Sequence, residues 1–150
     1  MAIDNPNWDY RLVEQNNNSV TLNYSTSWSN IDTSSTFTTG AAAPIKISYN
    51  LIHQYEQGAT NCSYRLILLN ASDDSANSYS NEMQVSKQGQ GANMAYGAHY
   101  MNWTFYNVAA GSYKVRSQAR NIGNSGTQHI TCYFSPNNQL NDHMVITYQA

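Results

Sequence analysis

From Ile45 to Leu51 the chain alternates. Ile45, Ile47, Tyr49 and Leu51 are apolar, and Lys46, Ser48 and Asn50 are polar. A period of two places successive side chains on opposite faces of a strand, so this segment reads as a half-buried β-strand. The same pattern recurs along the chain. Tyr64, Leu66 and Leu68 oppose Arg65, and Trp103 and Phe105 oppose Asn102 and Thr104. Tyr113, Val115, Ser117 and Ala119 oppose Lys114, Arg116, Gln118 and Arg120. Ile130, Cys132 and Phe134 oppose Thr131 and Tyr133, and Met144, Ile146 and Tyr148 oppose Val145 and Thr147. Helical periodicity is almost absent. Strands are predicted over 19–24, 45–55, 62–69, 82–86, 101–106, 112–120, 128–134 and 143–149, with a short one inside 34–39. That many strands in 150 residues predicts an all-β fold, an antiparallel β-sandwich of the jelly-roll type.

Some strands are apolar on both faces: Ile67 and Leu69 lie on the Arg65 side of their strand. A two-layer sandwich buries one face of each sheet, so the surplus predicts a second buried surface. A subunit interface supplies it most simply, and cover by the N-terminal segment is the alternative. Residues 1–18 read as an extended arm preceding a domain over 19–150. Trp8, Tyr10 and Leu12 give the arm one adhesive side, able to lie on its own domain, a sister subunit or a larger assembly. The stretch 70–100, rich in Ser, Asn, Gln and Gly, is expected to be mostly exposed loop with at most one strand.

Composition sharpens this picture. A chain of this size buries roughly 68–70% of its unfolded surface and needs no disulfide to hold a core. Charged residues are only 11%, and 12 Tyr with 3 Trp and 3 Phe argue against disorder. Such an uncharged polar surface suits a protein packed among other proteins or exposed to the outside. The net charge of −2 gives no general attraction to nucleic acid or anionic lipid. No apolar run reaches the ~20 residues of a membrane helix, and MAIDNPNWDY resembles no secretory leader. Synthesis in the cytoplasm without the usual export route is therefore expected.

Three of the seven basic residues, Lys114, Arg116 and Arg120, sit on one strand face. They are read either as an ordinary solvated face that discourages edge pairing or as a row of donors facing a partner. On either reading, replacing all three is expected to leave folding intact.

Catalytic chemistry is not visible. There is no phosphate-binding glycine loop, no His-Glu-x-x-His and no Gly-x-Ser-x-Gly elbow, and "GQGAN" at 89–93 precedes no helix. His53, His99, His129 and His143 are dispersed, and so are the carboxylates Asp32, Glu56, Glu82 and Asp142. No enzyme, cofactor or resident metal is expected. Asp73 and Asp74 are a weak Ca²⁺ candidate. Cys62 and Cys132 read as buried thiols, with a disulfide as the other reading. Sequons at Asn17, Asn23, Asn61, Asn70 and Asn102 are discounted without a leader. Tyr79, Tyr96 and Tyr100 could stack on sugar rings, or fill gaps within the domain and its interfaces.

The run "NVAAGSYKVRSQARNIGNSG" (107–126) and the terminal "HMVITYQ" (143–149) resemble the C-terminal half of C1q and tumour-necrosis-factor-like jelly rolls and their bacteriophage relatives. The resemblance implies a homotrimer, with Val145, Thr147 and Tyr148 near its threefold axis. It points to a capsid decoration, or cement, protein of a tailed bacteriophage, located in the virion and bound to the major capsid protein or another virion protein. The arm would grip the shell. The alternative is a receptor- or carbohydrate-binding head of a tail fibre or lectin-like adhesin, with a surface glycan as partner. A fibre tip usually follows a stalk, and the chain has no heptad repeat, which favours the capsid role.

Overall fold

The computed structural model describes residues 10–15, 20–55, 61–86, 95–123, 130–133 and 143–149. These form strands β1 (Tyr10–Gln15), β2 (Val20–Leu22), β3 (Ser29–Thr33), β4 (Phe37–Thr39), β5 (Ala43–Tyr55) and β6 (Asn61–Asn70). They continue as β7 (Ala76–Tyr79), β8 (Met83–Ser86), β9 (Ala95–Val108), β10 (Gly111–Asn121), β11 (Ile130–Tyr133) and β12 (His143–Tyr148). The protein is an all-β antiparallel sandwich of jelly-roll type.

The first sheet is organised around β5, the longest run of period-two alternation at this end of the chain. One edge of β5 pairs with β12 and then β11, which carry β1 and β2 beyond them. Its other edge pairs with β9 over nearly its whole length, from Ala43 with Val108 to Tyr55 with Ala95. In the second sheet β10 pairs with β6 from Tyr113 with Asn70 to Asn121 with Cys62. β3 and β4 flank β10, and β7 and β8 flank β6.

The two sheets close on one core. The first contributes Leu22, Ile45, Ile47, Tyr49, Leu51, Phe105, Met144 and Ile146, and the second Phe37, Tyr64, Leu66, Leu68, Val115 and Ala119. These positions follow the alternation in the sequence, because burying apolar area fixes which side of each pleat faces inward.

Two expectations need correction. The stretch 70–100 holds β7, β8 and the start of β9, all hydrogen-bonded into sheets. β3 also lacks an apolar run, since "SNIDT" has only Ile31, yet it pairs with the centre of β10. In both cases tertiary pairing overrides weak strand propensity. Residues 10–15 form an edge strand: β1 pairs with β12 from Tyr10 with Tyr148 to Gln15 with His143. Of the three places the segment could lie, these six residues lie on their own domain.

Candidate functional site

The outer face of the second sheet carries the basic row of β10. In the sandwich Tyr113, Val115, Ser117 and Ala119 are buried, which turns Lys114, Arg116, Gln118 and Arg120 outward. None of the four faces open water alone. Lys114 Nζ reaches Asp74 Oδ1 at 2.9 Å, and Arg116 reaches Asp74 Oδ2 at 3.2 Å. Arg116 Nε also donates to Thr33 Oγ1 at 3.1 Å. Gln118 donates to Asn30 at 2.7 Å and accepts from Arg65 Nε at 2.8 Å. Arg120 holds Glu82 at 2.9 Å and the Thr26 carbonyl at 3.1 Å. Trp28 lies between two guanidinium groups, with Arg65 4.3 Å and Arg120 4.5 Å from its ring centre.

Ile67 and Leu69 lie within this face. They are outside the central core, yet only 4% and 2% exposed. Register places Ile67 between Arg116 and Tyr79, and Leu69 between Lys114 and Ala76. The long stems of the basic side chains are suited to covering apolar surface while their charged heads stay wet. The apolar surplus of β6 is therefore buried inside one chain and requires no second subunit. Likewise, the row supplies donors mainly to loops of its own domain.

These contacts decide several chemical questions. Asp74 is held below the usual carboxylate range by the Lys114 hydrogen bond and the nearby positive charges. Asp73 is lowered by hydrogen bonds from Ser75. With Asp74 engaged by two cations, the pair makes a poor Ca²⁺ site. Glu82 is lowered by the nearby Ser63 hydroxyl and then by its ion pair with Arg120. Cys62 is a free buried thiol, pushed up to about 12 by burial, which leaves almost no thiolate near neutrality. Burial lowers His99, which stacks near Tyr64 at 5.9 Å. Among the described residues no three His, Cys, Asp or Glu side chains gather to hold a metal.

The other predicted residues do not converge. Trp8 lies outside the described residues; register sets Tyr10 opposite Tyr148 and Leu12 opposite Ile146. Val145 and Thr147 alternate with the buried Met144 and Ile146, so they take the outer face of the first sheet. Tyr148 is on the inner side, its ring 4.7 Å from that of Phe37. The three axis candidates therefore do not share one surface. Tyr79 is exposed on the outer face of the second sheet, with the Arg65 guanidinium 4.8 Å from its ring centre. Tyr100 is exposed on the opposite side of the sandwich, on β9, and nothing is described of the Tyr96 side chain.

Sequence reading missed one feature. A cleft of about 550 Å³ opens on the first sheet where β5 meets β9, lined by Lys46, Ile47, Ser48, Asn102, Trp103, Thr104 and Tyr106. Ser48 donates to Asn102 at 2.8 Å along its floor. The signal was available in the alternation of β9, which puts Tyr100, Asn102, Thr104 and Tyr106 on one face.

No family model matches the sequence, and no curated protein matches it. Solved structures of a viral protein share the fold. The VP2 subviral particle of infectious bursal disease virus matches with a TM-score of 0.54 at 12% identity, covering 93% of this chain and 32% of VP2. The Gx strain of the same virus gives 0.53 at 14% identity, covering 95% and 33%. Eiger TNF from S. frugiperda gives 0.43 at 9%, covering 88% and 92%. The chain spans about a third of the length of the viral chains.

Proposed function

We propose that this chain is a structural component of a virion, a homotrimeric decoration protein of a tailed-phage capsid that braces the shell by docking on the major capsid protein. The observation that supports this most is the sandwich's likeness to VP2, a protein that builds viral particles, across almost the whole of this chain. A rigid sandwich with little surface charge suits such mechanical work. Three equivalent contacts per trimer turn weak individual docking into firm attachment. Residues 1–9 with Trp8, next to the edge strand β1, are the segment assigned to shell contact, since aromatic anchors dominate many interfaces. Val145 and Thr147, on the outer face of β12, are the subunit-contact candidates that remain. Light scattering tests the assembly: three times the 16.8 kDa chain mass is expected. Shells prepared with and without the protein test the role, and equal resistance to dilution and heat would count against it.

A second reading, a carbohydrate-binding head, is favoured by one observation. The cleft beside Tyr106 combines hydroxyl, amide and aromatic groups on an open sheet face.

A further inference from the structure

We infer that the β5–β9 face binds an acidic oligosaccharide, a sugar chain bearing carboxylates, with Tyr106 and Tyr100 as stacking platforms and Lys46 as the charge partner. This rests on the carbohydrate-binding reading and adds both the ligand's class and its location.

Geometry comes first. Tyr106 and Tyr100 are 74% and 69% exposed, the most exposed large hydrophobic side chains among the described residues. Six residues apart on one strand, they share a face at a separation of about 20 Å. Between them stand Asn102 and Thr104, and on the neighbouring strand Ser48 and Lys46 pair with these two in register. A pyranose ring has an apolar C–H face that lies on a phenol ring, and a rim of hydroxyls that bond to amides and hydroxyls. This surface offers both groups in alternation. The cleft volume falls within the range of small-ligand sites, about 300–1,000 Å³.

Charge selects the ligand. Lys46, in register with Thr104 of β9, is the one charged residue among those lining the cleft, and no Asp or Glu is among them. An anionic ligand meets a positive charge here with no carboxylate among the lining residues to oppose it.

The test is titration of the full chain with sialyllactose and with lactose, followed by calorimetry and ligand-observed NMR. Saturable sialyllactose binding is expected, at least about tenfold tighter than lactose and weakened by salt. Tyr106→Ala and Lys46→Gln should each weaken it about tenfold with unchanged Tm and oligomeric mass. Equal lactose binding that still needs Tyr106 would overturn the acidic class and leave the carbohydrate reading standing. Binding untouched by either substitution would overturn the location. No binding to either sugar, or to any member of a broad glycan array, would remove both. A fall in oligomeric mass on either substitution would make the face a contact between copies, and the sugar site would be wrong.

Discussion

Ser117 Oγ donates to the Tyr49 hydroxyl at 3.1 Å, a buried hydrogen bond that crosses the core from one sheet to the other. Ser117 is 2% exposed and Tyr49 also 2%, so this polar contact sits where apolar groups would otherwise meet. The small side chain at 117 makes room for the phenol, and its hydroxyl meets the phenol's need for a partner.

Ser117→Ala should therefore cost about 1 kcal/mol, the net worth of one buried hydrogen bond. Ser117→Val should cost more, about 1–3 kcal/mol, because it also crowds the Tyr49 hydroxyl. Chemical denaturation of the two variants measures both. If valine proved the milder change, the contact would matter for neither fit nor bonding.

Truncation separates the two parts of the N-terminal segment. Removing residues 1–9 should leave Tm unchanged. Removing residues 1–15 strips β1 from β12 and bares the edge that pairs Val13 with Val145, so it should lower Tm and speed amide exchange in β12. Loss of shell attachment with the shorter deletion alone would assign docking to residues 1–9.

Replacing Lys114, Arg116 and Arg120 together with Ser should now destabilise the protein. It strands Asp74 and Glu82 and uncovers Ile67 and Leu69. Isolated surface ion pairs contribute little, so most of the loss should come from the uncovered apolar surface. Methionine at 114 and 116 should then restore much of the Tm. A triple serine variant as stable as the parent would return these residues to the role of plain solvated charges.

Acid should weaken the same face. Asp74 and Glu82 are held below their ordinary carboxylate values in the folded chain. The unfolded chain therefore binds more protons, and stability is present above the unfolded values of about 4 and lost as pH falls through the lower folded ones. Asp74→Asn and Glu82→Gln should flatten the fall of Tm below about pH 4. An unchanged acid limb in both variants would place its origin elsewhere.

Cys62 should resist thiol reagents in the folded protein at neutral pH, since burial excludes the reagent and suppresses the thiolate. Labelling at this residue should appear only with denaturant. Rapid labelling of Cys62 under native conditions, identified by mass spectrometry, would show that β6 opens locally.

The sandwich, its strands near Ile45, Leu66, Val115 and Ile146, and their inward faces were all legible in the order of residues, because the period-two code is local and apolar burial enforces it. The strand over Ser29–Thr33, the one over Ala76–Tyr79 and the partners of the basic row were not. Asp74 lies 40 residues from Lys114, and Asn30 lies 88 from Gln118, so only strand register brings them together. The cleft at Tyr106 belongs to the same class, because it exists only once β9 lies beside β5. Alternation along one strand determined what was buried; pairing between distant strands decided what the exposed side chains meet, since that depends on contacts no local window contains.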